Sequence, residues 1–257
     1  MNQDGSWGEV LPSNVRREAE PPEDPRLAPY HTVPASPTIT ESYSHGWRQL
    51  RRYFLELFLV GLMAFILVIA FSVVLGALQV ALRQNPGGAG LASLLQLAYQ
   101  YLVGTPLTYG LLFAFLRAAR GEVPQVGNLL EAFRRGWVDS ALAALLTTVL
   151  TVLGFLLLII PGMILSVRLS FVPFLVVDER LGPVEAVRES WRRSAGYGWT
   201  IFGFWLLAIP ILLVGFLLLI VGFIPALMWV WLAFSSLYAA ITVEKVRGEQ
   251  WPVAGSQ

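Results

Sequence analysis

The sequence contains no cysteine and few charged residues. Without cysteine the chain has no disulfide framework, no thiolate metal site and no cysteine nucleophile. Only 14% of its 257 residues are charged, whereas a soluble domain uses about 25% to cover its surface. Hydrophobic residues make up 56% of the chain, and the mean hydropathy is +0.63. This balance argues against a soluble fold and indicates an integral membrane protein.

The apolar residues are concentrated in four blocks that contain no charge, at residues 57–82, 84–116, 140–167 and 194–243. Each block exceeds the roughly 20 residues that a helix needs to cross about 30 Å of hydrocarbon. We divide the third block at Pro161 and Gly162, and the fourth near Gly222. The sequence therefore predicts an all-α integral membrane protein with six transmembrane helices in three hairpins, at residues 53–82, 91–115, 140–160, 163–177, 199–220 and 223–243.

Both ends of the chain are predicted to lie outside the membrane domain. Residues 1–42 hold seven of the sixteen prolines together with scattered acids, a composition typical of a disordered tail. We expect a disordered, proline-rich cytoplasmic tail at 1–42. The six-helix transmembrane domain then occupies 43–247, and a short cytoplasmic tail follows at 248–257.

Two amphipathic segments connect the predicted hairpins. In the first, at residues 129–137, the apolar side chains fall on one helical face. The second, at residues 178–197, repeats this design with arginines on its other faces. Such segments are typical of short helices that lie in the membrane interface. We expect both of them on the cytoplasmic side.

The basic residues predict the orientation of the chain. Thirteen Lys and Arg residues flank the predicted spans on the side of the termini, and Arg83 alone lies in the opposite connections. Short loops that are rich in Lys and Arg stay in the cytoplasm. We therefore expect a multi-pass protein of the cell inner (cytoplasmic) membrane with cytoplasmic N- and C-termini.

Weak internal repetition accompanies this topology. The run from Glu131 to Trp137 matches the run from Glu185 to Trp191 at Glu, Ala, Arg and Trp, and a weaker copy begins at Gly46. The downstream runs that begin at Gly154 and at Gly215 also agree. The sequence predicts three parallel units, each an interfacial helix followed by a hairpin, related by an axis near the membrane normal.

Arg168 is the most informative single residue. It lies midway along the fourth predicted span, where an arginine costs about 2.5 to 3.5 kcal/mol on insertion scales. One interpretation is a binding site for an anionic group, such as a lipid phosphate, within the bundle. The other is structural: the guanidinium bonds to carbonyls freed near Pro161 or Pro173, or extends to the headgroups. The sequence leaves both interpretations open.

Further candidate residues fall into two groups. The arginines of the amphipathic segments are expected to contact anionic lipid, at about 1 kcal/mol per basic residue, although they would serve equally as topology anchors: Arg134, Arg135, Arg188, Arg192 and Arg193. The second group marks structural breaks, typical either of discontinuous transport helices or of kinks and turns: Pro106, Pro161, Gly162, Pro173, Pro210 and Pro225.

Residues for catalysis or for cofactor and metal binding do not cluster in the sequence. His31 and His45 have no partner at ligand spacing, and no phosphate-binding loop or nucleophile elbow occurs. No span carries a membrane-embedded pair of carboxylates. We therefore expect no enzyme, no cofactor and no metal. The expected partners are membrane lipids and another membrane or cytoplasmic protein, with no nucleic acid.

Residues 46 to 245 resemble a large group of bacterial membrane proteins, and the likeness is most specific from residue 160 to 196. The residues that carry the likeness are Ile160-Pro161-Gly162, Val167-Arg168-Leu169-Ser170, Pro173, Val177-Asp178-Glu179, Gly182-Pro183 and Ser190-Trp191. This group includes the membrane domain of some glycerophosphoryl diester phosphodiesterases and related uncharacterised multi-helix proteins. The resemblance implies the membrane architecture. It does not imply the esterase activity, because the metal-binding acids and catalytic histidines of the phosphodiesterase barrel have no counterparts here.

These observations favour a non-enzymatic membrane protein that acts as an accessory or scaffold and contacts anionic lipid. The alternative is a small permease or exporter with a mid-membrane site around Arg168. A membrane-bound lipid enzyme has the least support, because no acid, base and nucleophile converge in the sequence.

Overall fold

A computed structural model of the chain describes residues 32–34, 36–84 and 88–250, and this part is helical and contains no strand. Most of the predicted tail at 1–42, with His31, and the last seven residues lie outside it. Six stretches of the described part are long and apolar enough to cross a membrane: Ile39–Arg83, Gly88–Ala119, Gly136–Leu157, Ile159–Asp178, Gly198–Leu217 and Gly222–Gly248. The all-helical class and the number of long apolar helices are thereby confirmed.

Nine α-helices make up these stretches and their connections in the described residues. In chain order they are α1 (Ile39–Arg83), α2 (Gly88–Tyr99), α3 (Thr105–Ala119), α4 (Glu131–Leu157), α5 (Ile159–Arg168), α6 (Val172–Asp178), α7 (Pro183–Ser194), α8 (Gly198–Leu217) and α9 (Leu219–Gln250). A π-helical turn, Gln100–Gly104, joins α2 to α3, and a 3₁₀ turn, Val126–Leu130, precedes α4.

The six long stretches divide into buried and exposed ones. The apolar windows of the second and sixth stretches are 67% and 78% buried, whereas those of the first, third and fifth are 17% to 22% buried. Helix α3 packs against both α6 and α9, while α1, α4 and α8 lie around them. The apolar surface of these outer helices faces outward, as expected where lipid rather than water is the solvent.

Aromatic side chains fill the core between the inner helices. Phe171, Phe174, Phe204, Phe234 and Tyr238 are all fully buried. The Phe174 and Tyr238 rings stack with their centroids 4.8 Å apart, and Phe171 meets Tyr238 edge-on at 5.4 Å. Such pairs contribute about 0.5 to 1.5 kcal/mol each beyond the area that they bury. The described core is therefore solid at this point.

The chain reverses at positions other than those predicted. The turn between α4 and α5 is at Leu158, whose backbone is extended (φ −167°, ψ 157°), and the turn between α8 and α9 is at Leu218. The assignment of the first reversal to Pro161 and Gly162 was wrong. Pro161 lies in the first turn of α5, where its missing N–H leaves no hydrogen bond unmade. The proline is therefore part of the start of the helix, which begins at Ile159, and does not end a helix.

The other predicted breaks differ among themselves. Pro173 follows a true interruption between α5 and α6, and Pro106 follows the π-helical turn. Pro210 and Pro225 lie inside the continuous helices α8 and α9, so they end neither helix. The first helix also differs from the prediction, since it begins at Ile39 and changes direction where the backbone of Tyr53 is non-helical.

Pro106 also explains a contact between two elements. A proline has no N–H to donate to the carbonyl four residues earlier, and here that carbonyl belongs to Leu102. The indole Nε1 of Trp137 donates a hydrogen bond of 2.6 Å to the Leu102 oxygen. The side chain of α4 therefore satisfies an acceptor that the helix break leaves open.

Gly110 allows the 3₁₀ turn to lie directly against α3. A Cβ added at Gly110 would lie 2.2 Å from the Leu129 carbonyl oxygen and 2.8 Å from its Cα. Real Cβ atoms do not approach backbone this closely, so a larger residue would push the turn away from α3.

We therefore predict that Gly110→Ala lowers the stability of the protein by about 1 to 3 kcal/mol, the range for overpacking in a filled interior. The matched control is Gly76→Ala on α1, where an added Cβ meets nothing within 4 Å. Both variants gain the same helix propensity. The measurement is thermal unfolding in detergent followed by circular dichroism, and equal melting temperatures for the two variants would contradict the close approach.

Candidate functional site

A bidentate ion pair joins the ends of α3 and α6. Arg120 donates from Nη1 to Asp178 Oδ1 at 2.8 Å and from Nη2 to Asp178 Oδ2 at 2.5 Å. The side chains are only 6% and 10% exposed. Charge-assisted pairs of this geometry are among the stronger hydrogen bonds in proteins. They fix the relative position of two inner helices.

A second cluster lies beside this pair and is centred on Arg193 of α7. Its guanidinium donates to both oxygens of Glu179, at 2.5 and 2.7 Å, and through Nε to Glu189 at 2.6 Å. The hydroxyls of Tyr238 and Thr242 on α9 also lie within 3.3 Å of Nη1. The cluster ties the amphipathic helix α7 to the ends of α6 and α9. We call this part of the molecule, with the Arg120–Asp178 pair, the charged end.

Both partners on α7 keep their charge in this environment. Burial by itself would lower the pKa of Arg193, but Tyr238, Glu179 and Glu189 outweigh burial and raise the pKa above its ordinary value. Burial by itself would raise the pKa of Glu189, but hydrogen bonds from Arg192 and Arg193 hold the pKa below its ordinary value. The pair is therefore ionised throughout the neutral range.

The predicted headgroup arginines have different surroundings. Arg193 is buried and taken up by two carboxylates, so its assignment as a headgroup contact was wrong. Arg192 pairs with Glu189 but its side chain stays 61% exposed. Arg134 and Arg188 are exposed. The side chain of Arg135 lies outside the described residues.

Arg168 ends α5 at the interruption before α6. Because the chain leaves the helix there, the Arg168 carbonyl is free to accept from other groups. It accepts hydrogen bonds from Ser190 Oγ at 2.7 Å and from Ser194 Oγ at 3.3 Å, both on α7. The backbone of Arg168 is thus a docking point for the amphipathic helix.

The guanidinium of Arg168 is held differently from its backbone. It lies over the Trp191 ring, with Cζ 5.4 Å from the ring centroid, a geometry in which a cation is attracted to the π-face. Its Nη1 is buried and has no hydrogen-bond partner. The freed carbonyls that one interpretation of the sequence offered to this side chain are not its partners here.

A cavity of about 500 Å³ adjoins this guanidinium. It lies between α5 and the start of α8. Its lining contains one charged side chain, that of Arg168, and the remainder is apolar or glycine: Ile160, Met163, Ile164, Val167, Gly196, Gly198, Trp199 and Phe202. The arrangement combines a cation with apolar walls, which is suited to an amphiphilic anion and offers no acid–base pair for catalysis.

The described histidine is a structural residue. In His45, Nδ1 lies 2.9 Å from Ser236 Oγ and Nε2 lies 2.6 Å from the Thr32 carbonyl oxygen. Both ring nitrogens are therefore occupied. Within the residues that the structure describes, no three His, Cys, Asp or Glu side chains are placed to hold a metal ion.

Sequence reasoning missed the two ion-pair clusters, although it named Asp178, Glu179 and Arg193 for other reasons. Asp178 and Glu179 directly follow an apolar span, and Arg120 directly follows another. When two spans run in the same direction across the membrane, opposite charges at their ends lie on the same side and indicate that an ion pair can form. What the sequence does not contain is which arginine meets which carboxylate.

The long apolar helices, their exposed apolar faces and their shared charged end define the class of this protein as a helical multi-pass membrane protein. The family model described as "Domain of unknown function (DUF7847)" matches residues 99–246, more than half of the chain. The chain belongs to this family. The match includes Arg120, Arg168 and the whole of α7. No solved structure matches the chain.

We predict that Asp178→Asn destabilises the protein by about 3 to 5 kcal/mol, the loss found when one partner of a buried ion pair is removed. The control is Glu122→Gln, which removes the partner of Arg117 from a pair whose side chains are 34% and 38% exposed. A pair this exposed contributes about 0 to 1 kcal/mol. Chemical denaturation in detergent measures both, and similar losses for the two variants would contradict the ranking.

Glu189 gives a prediction for the pH dependence of stability. Its pKa is lower in the folded protein than the roughly 4.3 of an unfolded chain, so its contribution is complete above that pH and is lost as the pH falls through the folded-state value. We expect the melting temperature of the wild type to exceed that of Glu189→Gln at pH 7. The difference should shrink as the pH falls below about 4. A difference that is constant with pH would show that the carboxylate charge has no role.

Proposed function

We propose that this protein is a non-enzymatic accessory or scaffold protein of the bacterial inner membrane, and that its charged end faces the cytoplasm and contacts anionic lipid. The observation that carries the proposal is an exposed set of arginines and tryptophans at this end. Arg48, Arg51 and Arg52 on α1 are exposed. Trp47, Trp137 and Trp191 are 41% to 47% exposed.

These residue types suit the boundary between lipid and water. Tryptophan is enriched at the headgroup level of membrane proteins, and arginine attracts anionic lipid while its stem covers apolar surface. Arg51 also lies over the Trp47 ring, with Cζ 5.9 Å from the centroid. The three tryptophans occupy the corresponding position of the three segments that the sequence compares, which supports one common depth in the membrane.

We also propose that the chain consists of three repeated hairpin units, each introduced by a short interfacial helix. The contacts of the introducing segments support this. The start of α1 packs on α9, where Trp229 Nε1 donates to the Tyr43 carbonyl oxygen at 2.9 Å. The 3₁₀ turn and α4 pack on α3, and α7 packs on α6. Each segment thus contacts the second helix of the preceding unit, in a closed cycle of three.

Glycine pairs near two hairpin tips support the same repeat. A Cβ added at Gly154 would lie 3.0 Å from Gly162 Cα, and one added at Gly215 would lie 3.1 Å from the Gly222 oxygen. Small residues allow helix backbones to approach closely in membranes. Gly154 and Gly215 occupy aligned positions of the second and third units, while their partners Gly162 and Gly222 differ by one position in that alignment.

We also propose that this chain is related to the membrane domain of glycerophosphoryl diester phosphodiesterases. This proposal rests on the short motifs between residues 160 and 196. One of these residues, Ser190, has a definite role, because its hydroxyl holds the Arg168 carbonyl. If the kinship holds, the same bond is expected in the phosphodiesterase membrane domains.

A small permease or exporter is the second candidate function. The cavity beside Arg168 favours it, since a transported anion would need such a site. The position of the cavity favours the scaffold instead. It lies at the edge of the bundle between α5 and α8, whereas the centre is filled by the stacked rings of Phe174 and Tyr238.

We predict that replacing the exposed Arg134 and Arg188 by glutamine reduces the anionic lipid that the purified protein retains. The affinity should fall by roughly fivefold per arginine, because each contributes about 1 kcal/mol near an anionic surface. The protein is extracted from membranes of equal phosphatidylglycerol and phosphatidylethanolamine content, and retained lipid is measured by mass spectrometry.

The matched control replaces the same two residues by lysine, which keeps the charge. The retention should also decrease with salt, because exposed charges are screened. Equal retention by the glutamine and lysine variants would overturn the lipid-contact role of this surface. Uptake of an anion by vesicles that contain the protein would favour the permease.

A further inference from the structure

The cavity between α5 and α8 combines one cationic side chain with apolar walls. We propose that it binds one molecule of an anionic phospholipid, with the phosphate against Arg168 and an acyl chain along the apolar walls. This inference rests on the proposed function and deepens it, because it replaces a diffuse basic surface by one defined site.

The anionic half of the ligand is specified by the Arg168 guanidinium. This group lines the cavity, and within the part of the chain that the structure describes no carboxylate pairs with it and its buried Nη1 has no hydrogen-bond partner. Contact with the Trp191 ring holds it in place without neutralising it. A phosphate oxygen in the cavity would form a charge-assisted hydrogen bond with the part of the guanidinium that borders the cavity.

The start of α8 adds to the attraction for an anion. Gly198, the first residue of this 20-residue helix, lines the same cavity, and Tyr197 before it provides no side-chain cap. The first N–H groups of a helix are free donors, and the helix dipole favours negative charge there. A Cβ added at Gly196 or Gly198 would meet nothing within 4 Å. The backbone is therefore open to a ligand.

The apolar half of the ligand is specified by one face of α5. Ile160, Met163, Ile164 and Val167 recur at helical spacing along the cavity, and Phe202 of α8 lies opposite. The volume of about 500 Å³ is within the range of roughly 300 to 1,000 Å³ for small-molecule sites. Inorganic phosphate would leave these walls in contact with water, whereas an acyl chain covers them. The chemistry therefore favours a lipid over a free anion.

The site is placed where its occupancy affects the amphipathic helix. Trp191 contacts the guanidinium through its ring, and Ser190 and Ser194 bind the Arg168 carbonyl. A lipid held at Arg168 therefore stabilises the junction between α5, α7 and α8. A ligand that binds only the folded state stabilises it by RT ln(1 + L/Kd), where L is the free ligand concentration, so the melting temperature rises with the logarithm of the ligand concentration once the site is filled.

The test uses the full-length protein, delipidated in a nonionic detergent, in the wild type and two site variants. Arg168→Gln removes the charge. Gly198→Leu adds a side chain at the cavity lining, where a Cβ meets nothing within 4 Å. The control is Arg83→Gln, an exposed arginine outside the cavity lining and outside the proposed lipid-contacting surface. The added probes are phosphatidylglycerol, phosphatidylethanolamine and inorganic phosphate alone.

Native mass spectrometry counts bound lipid, and thermal unfolding measures stabilisation. We expect one tightly bound phosphatidylglycerol per wild-type chain and about tenfold weaker binding to Arg168→Gln, the loss of one charge-assisted hydrogen bond. Gly198→Leu should lose the same molecule. Phosphatidylethanolamine should bind less tightly, and inorganic phosphate should give no comparable rise in melting temperature. Arg83→Gln should keep the tight site.

Wild-type affinity in both site variants would overturn the site. If the two site variants bound lipid like the wild type but the Arg134 and Arg188 glutamine variant still lost lipid, the proposed function would stand without the cavity site. If none of the variants lost lipid, both proposals would fail. Equal stabilisation by inorganic phosphate would identify an anion site and overturn the lipid assignment. Should Gly198→Leu fail to fold, Arg168→Lys compared with Arg168→Gln decides, since only the lysine variant keeps a cation.

Discussion

The structure depends most on two adjacent carboxylates at the end of α6. Asp178 holds Arg120 from the end of α3, and Glu179 holds Arg193 from α7. Glu179 also contacts α9, because the Tyr238 hydroxyl donates a hydrogen bond to Glu179 Oε1 at 3.2 Å. In a bilayer, apolar surfaces gain little by facing each other instead of lipid, so packing and polar contacts must fix the order of helices. Asp178 and Glu179 provide such polar contacts between α6 and both α3 and α9 at one end of the bundle.

Helix interruptions provide the second set of constraints. Each frees a carbonyl, and a side chain from the next segment of the chain binds it. Trp137 donates to Leu102 where Pro106 interrupts the second stretch, and Ser190 and Ser194 donate to Arg168 where the fourth is interrupted. An unsatisfied backbone group at membrane depth costs several kcal/mol. The start of α4 and the helix α7 are therefore held in place by hydrogen bonds to the interrupted helices beside them.

Arg168 and Arg193 have the same side chain, but their surroundings give the two guanidinium groups different contacts. Arg193 meets two carboxylates and two hydroxyls within 3.3 Å, so each of its three side-chain nitrogens has a hydrogen-bond partner. Arg168 has an indole ring on one side and an open cavity on the other. The first guanidinium is structural, and the second is available to a ligand. The sequence placed both among the candidate lipid contacts, and only the first assignment had to be corrected.

The sequence by itself determined the class of the protein and the number of long apolar helices, and it placed Arg168 among the candidate site residues. These follow from the length of apolar runs and from the placement of single charges, which are local properties of the chain. The tertiary structure decided the turns at Leu158 and Leu218 and the pairing of Arg120 with Asp178. The latter residues are 58 positions apart, and their encounter depends on how the spans pack. It also decided that Arg168 borders a cavity, because a cavity is the space left between helices and no local pattern encodes it.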